Sequence, residues 1–128
     1  MLSMTSPAGF EQFVGPIAYE QSGDDTKLSF TIADQHLNGD GFLHGGMMMT
    51  LASAVLGQLA RQSAGEAPSA PLSVNCDFVG PGKPGAKVSG TAEITRRTRS
   101  VIFASAELRA DGQLMMTATG VYRIGQET

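Results

Sequence analysis

From residue 43 to 63 the chain holds a helical stretch with almost no polar side. Met47, Met48, Met49, Leu51, Ala52, Ala54, Val55, Leu56, Leu59 and Ala60 point in every direction around a 3.6-residue period. A helix apolar nearly all round must be enclosed by something. Thr50, Ser53 and Gln58 interrupt the apolar run and Arg61 follows it, so it falls short of a membrane span of about 20 apolar residues. The enclosure therefore has to come from the rest of the chain.

Four alternating segments after the helix supply it. Residues 72–79 carry Leu72, Val74, Cys76 and Phe78 in alternation; residues 86–95 set Ala86, Val88, Gly90, Ala92 and Ile94 on one face; Ile102, Ala104, Ala106 and Leu108 share another. Asp111-Gly112 predicts a tight hairpin into a last strand over 114–124. Before the helix, residues 9–14 read as a short helix. A strand from Ile17 ends at the Ser22-Gly23-Asp24-Asp25 turn, and Leu28, Phe30 and Ile32 alternate in a second strand. The expected order is β-β-α-β-β-β-β, an α+β arrangement in which an antiparallel sheet curls around one long helix. No internal repeat is visible, and both ends read as short and polar.

A length of 128 residues is expected to form a single domain over 1–128, with its core within about 15–125. Hydrophobic residues make up 41% and charged residues 16%, which argues against extended disorder. Nine basic against twelve acidic side chains give a net charge of −3, so the basic footprint that duplex nucleic acid requires is missing. The first residues show neither a positive n-region nor a long apolar run, so the mature protein is expected to begin near Met1 and to stay in the cytoplasm. A lone Cys76 suits a reducing compartment, and its alternating apolar neighbours favour a small packed hydrophobe over a nucleophile.

The stretch that carries chemistry is His36-Leu37-Asn38-Gly39-Asp40-Gly41-Phe42-Leu43-His44-Gly45-Gly46, where the loop enters the helix. Two glycines at a helix start remove side chains just where first-turn N–H groups have no intrahelical partner. Those donors and the positive end of the helix dipole suit an oxygen that gains negative charge, which makes Gly45 N–H the candidate oxyanion donor. Asn38 and His44 are candidates either to orient the loop or to hold a carbonyl and a water. A glycine-rich loop merely braced by His44 satisfies the same pattern.

Asn38-x-x-Gly41-x-x-His44-Gly45-Gly46 followed by Thr50-Leu51-Ala52 resembles the signature of the phenylacetate-pathway (PaaI-like) acyl-CoA thioesterases of the hotdog superfamily. The likeness runs on through Asn75-Cys76-Asp77-Phe78-Val79-x-Pro81 and the arginine-rich turn Arg96-Arg97-Thr98-Arg99. It implies a hotdog fold and hydrolysis of a small, medium-chain or aromatic acyl-CoA. Asn38, His44 and the Gly45 N–H would polarise the thioester carbonyl, with Gly46 and Asn75 beside the substrate. Coenzyme A would enter as part of the substrate, with no cofactor; no His/Cys/Asp cluster has metal spacing either.

In that family the helix usually carries an acidic residue eight positions after the glycine, and here the position is Ser53. A serine hydroxyl without an adjacent base does not replace a carboxylate at neutral pH. Asp40 and Asp77 are the candidates to supply the missing charge. Binding of an acyl-CoA without cleavage is the alternative function. A hotdog hydratase is a third reading, from Asp40 before His44, although the spacing fits poorly.

Gly45 and Ser53 lie about 12 Å apart along a helix axis, too far to touch one reacting carbon. Antiparallel two-fold pairing of helices would bring Ser53 of one chain toward Gly45 of another. A homodimer with two interface sites is expected, with a dimer of dimers beyond it. Arg96, Arg97 and Arg99 read equally as a phosphate clamp for coenzyme A and as a solvated turn. Met47, Met48, Met49, Met115 and Met116 are mostly expected to fill the core, with a malleable acyl pocket as the sharper reading.

Overall fold

A computed structural model describes residues 2–5 and 9–125, the first four and Ser22 by backbone alone. The elements are β1 (Leu2–Thr5), α1 (Gly9–Val14), β2 (Ala18–Ser22), β3 (Asp25–Thr31), a 3-10 turn at Asp34–His36, α2 (Gly45–Ser63), β4 (Ser69–Phe78), β5 (Lys87–Arg97), β6 (Val101–Ala110) and β7 (Gln113–Ile124). The seven strands form one antiparallel sheet in the order β1-β2-β3-β5-β6-β7-β4. β1 is an addition to the sequence reading. It extends the sheet beyond β2, where a short polar end was expected; residues 126–128 of the other end lie outside the described residues.

α2 lies across the concave face and packs on β3, β4, β5, β6 and β7. Leu51, Val55, Leu56 and Leu59 are at most 1% exposed. Each large apolar side chain buried this way contributes about 1.5–3 kcal/mol, which holds the helix to the sheet. Alternation on the strands supplies the other half of the core: Val88, Ala92, Ile102, Ala104, Leu108, Met116, Ala118 and Tyr122 face α2. At Asp111, φ is +48°, and at Gly112 +85°, the left-handed pair that a two-residue hairpin needs.

β4 departs from simple alternation. Its register slips between Pro71 and Ser73, and Leu72, displaced by the bulge, is 51% exposed. Only β7 flanks this strand, so its outer edge is open among the described residues. Val74 and Cys76 are half-buried, whereas Phe78 and Val79 are exposed. Among the described residues no helix is long and apolar enough to cross a membrane, and no group of His, Cys, Asp and Glu is arranged to hold a metal.

Candidate active site

The loop of residues 37–43 is closed on itself by main-chain bonds. Asn38 N–H donates to Phe42 O at 2.7 Å, Gly41 N–H to Asn38 O at 3.1 Å, and Leu37 bridges Leu43. Asn38 Oδ1 accepts the N–H groups of Asp40 at 2.9 Å and Phe42 at 3.1 Å. Two donors aimed at one atom identify it as the oxygen. These bonds are the loop-orienting role expected of Asn38, and they leave its amide Nδ2 unengaged among the described residues.

His44 is the N-cap of α2, with extended backbone at φ −62° and ψ 135°, and its Nδ1 accepts Gly46 N–H at 2.8 Å. A neutral imidazole that accepts at Nδ1 carries its proton on Nε2, so the exposed edge of His44 is a donor. Gly46 permits this arrangement, because a Cβ there would lie 2.9 Å from Nδ1. Its role is thus to admit the imidazole. Gly45, next to it, has no bonding partner for its N–H among the described residues. A Cβ at Gly45 would meet only the Phe78 ring, at an ordinary 3.4 Å, so nothing within the chain demands glycine there.

Ser53 stands exposed two turns along α2, and its main-chain carbonyl accepts the Tyr122 hydroxyl at 3.3 Å. Burial pushes the Tyr122 phenol up; a hydrogen bond from the Ser53 side chain pulls the other way, and the negative charges of Cys76 and Glu11 add to the rise. Two cavities meet at Ser53. One, of about 500 Å³, runs past Thr50 and Met49 to Gly46; the other, of about 400 Å³, continues to Gly57, Tyr19 and Tyr122. Glu11 lines both, and the buried Tyr19 donates its hydroxyl to the Glu11 carboxylate. No sequence pattern singled out Glu11, because α1 has only six residues and no periodicity to argue from.

A third cavity, of about 480 Å³, lies between α1 and the start of α2, walled by Phe10, Phe13, Val14, Leu37, His44 and Met47. Met48, Met115 and Met116 are buried core, Met47 lines this cavity, and Met49 is 46% exposed. His36 ties α1 to the loop: its Nδ1 accepts Ala33 N–H at 2.9 Å, and its Nε2 donates to Val14 O at 2.5 Å.

Other expected residues lie elsewhere in the chain. Asn75 is exposed, with Nδ2 donating to Ser73 Oγ at 3.2 Å, and strand alternation turns it away from the face that carries Cys76 and Phe78. Asp77 shares a groove on the outer sheet face with Thr117 and Thr119, and Asp40 is exposed in the loop. Arg96, Arg97 and Arg99 are exposed, and Arg97 Nη1 donates to Ser63 O at 2.8 Å at the last turn of α2. That end lies about 27 Å along the axis from Gly45.

The family model described as "Acyl-CoA thioesterase N-terminal domain" matches residues 33–123. Human acyl-coenzyme A thioesterase 13 is 24% identical over 126 residues, covering 96% of this chain and 90% of the relative. The Escherichia coli PaaI protein from the phenylacetic acid degradation operon superposes with a TM-score of 0.77 at 19% identity, covering 88% of this chain and 81% of that one. A hypothetical thioesterase protein from Streptococcus pneumoniae, solved with coenzyme A, gives 0.78 at 18% identity, covering 86% and 87%. With a family match spanning most of its length on a hotdog framework, this chain belongs to the acyl-CoA thioesterase family.

Proposed function

We propose that the protein hydrolyses acyl-CoA thioesters, at sites completed by a second copy of itself. The observation that carries this reading is the unpartnered Gly45 N–H at the positive end of a 19-residue helix, flanked by the outward Nε2–H of His44. A thioester carbonyl seated there gains charge on oxygen in the transition state, and fixed donors stabilise that charge more than the ground state. Asn38 Nδ2 is a further donor at the same mouth. The apolar cavity beside His44 fits a medium-chain or aromatic acyl group in size and lining.

The second copy is argued from what one chain leaves open. Met49, Ser53, Gly57 and Arg61 form a solvent-facing stripe at four-residue spacing along α2, and the β4 edge displays Leu72, Phe78 and Val79. Pairing α2 with its two-fold mate about Met49 sets Ser53 opposite the other Gly45. The same operation carries the mate's arginine turn to about 15 Å beyond Gly45 along the axis, against about 27 Å for the chain's own. Arg96, Arg97 and Arg99 would then meet the coenzyme A phosphates from the facing copy. A coenzyme A-bound structural relative is consistent with this substrate class.

Thiol release from a panel of aliphatic and aromatic acyl-CoA esters tests the reading, with saturable turnover expected. Tight binding with the intact ester recovered would instead support a binding protein, the reading that the uncharged Ser53 favours. Loss of enoyl absorbance from a 2-enoyl-CoA without thiol release would point to a hydratase.

A further inference from the structure

We infer that Glu11 supplies the carboxylate that Ser53 cannot, as the general base of the hydrolytic step; this rests on the thioester-hydrolase reading above. Glu11 lines both cavities that meet at Ser53, the one that runs to Gly46 and the one that runs to Tyr122. Its negative charge is felt by Tyr122, whose hydroxyl bonds the Ser53 carbonyl. Tyr19, only 3% exposed, donates its hydroxyl to the carboxylate and so fixes its direction. A carboxylate offers about four lone-pair sites, so a bond from Tyr19 is compatible with holding a water as well.

The rival acids are placed elsewhere. Asp77 faces the outer groove of the sheet, on the side away from α2, and Asp40 lies in the exposed loop with its N–H held by Asn38. Glu11 comes from a different element, but it lines the cavities along the same stretch of α2 that a helix carboxylate would occupy. In the two-fold arrangement, that stretch faces the Gly45 N–H of the other copy.

In the step, Glu11 takes a proton from a water while the water oxygen bonds to the thioester carbonyl carbon. The carbonyl electron pair moves onto oxygen, where Gly45 N–H and His44 Nε2–H receive it. Collapse re-forms the carbonyl and breaks the C–S bond, the electron pair leaving on sulfur. The proton held by Glu11 passes to that thiolate, giving the free thiol and a carboxylic acid, and Glu11 is again ionised. Ser53 is left to hydrogen-bond the water, which its hydroxyl can do without ionising.

The test is steady-state thiol release by the full chain and its variants across pH. Glu11→Gln is expected to lower kcat by at least about 100-fold, with KM within about threefold, and to erase the acid limb of the kcat profile. Glu11→Asp should keep that limb at a reduced rate, and Asp77→Asn should match wild type. Wild-type kcat with an intact acid limb in Glu11→Gln would overturn the role of Glu11 while leaving the hydrolase reading standing. A wild-type protein that releases no thiol would overturn both. If Glu11→Gln does not fold, Glu11→Asp decides: a kcat reduced at least about tenfold at constant KM supports the role, and an unchanged kcat overturns it.

Discussion

His44 Nδ1 sits 2.8 Å from the nitrogen of Gly46 and accepts its N–H, so one side chain both caps α2 and presents a donor edge to the helix mouth. The contact exists because Gly46 has no Cβ. Adding one in Gly46→Ala would place carbon 2.9 Å from Nδ1 and 3.0 Å from Cε1, driving the ring out. Loss of the cap is expected to cost about 1 kcal/mol, a Tm drop of roughly 3–5 °C at this size, while kcat/KM falls at least about tenfold. Thermal melts alongside thiol release would check both numbers; a Tm drop with unchanged turnover would remove His44 from the site.

Gly45→Pro separates fold from chemistry more cleanly. Gly45 is the first residue of α2, where proline is tolerated because the N–H has no helical partner. His44 before it already has the extended ψ of 135° that a following proline requires. The variant is expected to melt within about 1 kcal/mol of wild type yet lose about 100-fold or more in kcat, the usual effect of deleting one oxyanion donor. Retained kcat in a folded variant would show that this N–H touches nothing that reacts.

Much of this architecture is legible in the sequence, for physical reasons. An all-round apolar helix and two-residue alternation in β5, β6 and β7 leave one arrangement that buries both, and Asp111-Gly112 marks its hairpin. The start of α2 is legible too, since two glycines after His44 mark the point where the loop enters the helix. What escapes is whatever depends on long-range approach. Glu11 lines the same cavities as Ser53 only because the fold brings α1 beside α2, with His36 tying α1 at Val14. Leu72 leaves its expected face because an edge strand tolerates a bulge. Asn75 and Asp77 share a short segment with residues that face α2, and period-two alternation sends them to the other side.

His36 bridges Ala33 N–H and Val14 O while 4% exposed, so it holds the last residue of α1, the helix whose first turn carries Phe10 and Glu11. His36→Ala leaves a main-chain donor and acceptor without their partner, and each unsatisfied group costs about 1–3 kcal/mol where water cannot replace it. Hydrogen exchange is expected to accelerate across residues 9–14 while α2 stays protected, with turnover falling as α1 loosens. Uniformly faster exchange would mean that His36 supports the whole domain rather than α1.

Burial pushes the Cys76 thiol up, with Asp77 adding to it, and burial likewise raises the Tyr122 phenol. Groups whose folded pKa exceeds the unfolded value keep their protons longer in the native state. Their stabilisation is complete below the ordinary thiol and phenol range and is lost as pH rises through the folded values. Urea midpoints are therefore expected to fall between about pH 8 and 11, and Cys76→Ala with Tyr122→Phe should flatten that decline. Iodoacetamide should also modify Cys76 more slowly than a free thiol at pH 8, since the thiolate is the nucleophile. Equal rates would place the thiol in a far more open setting than the half-buried one on β4.

Met49 lies midway between Gly45 and Ser53 on the exposed stripe of α2 and is itself 46% exposed. If two helices pair antiparallel with Gly45 opposite Ser53, the axis passes beside Met49, and each copy meets its own counterpart there. Met49→Asp would then set two like charges against each other at the least hydrated point of the interface, which is destabilising to the pair and nearly neutral to a lone chain. Sedimentation at micromolar concentration is expected to show a dimer for wild type and a monomer for the variant. Thiol release should disappear with the dimer, because each Gly45 loses the Ser53 and Glu11 that face it. A Met49→Asp protein that remains dimeric would refute the helix-to-helix pairing, and a fully active monomer would place every reacting group within one chain.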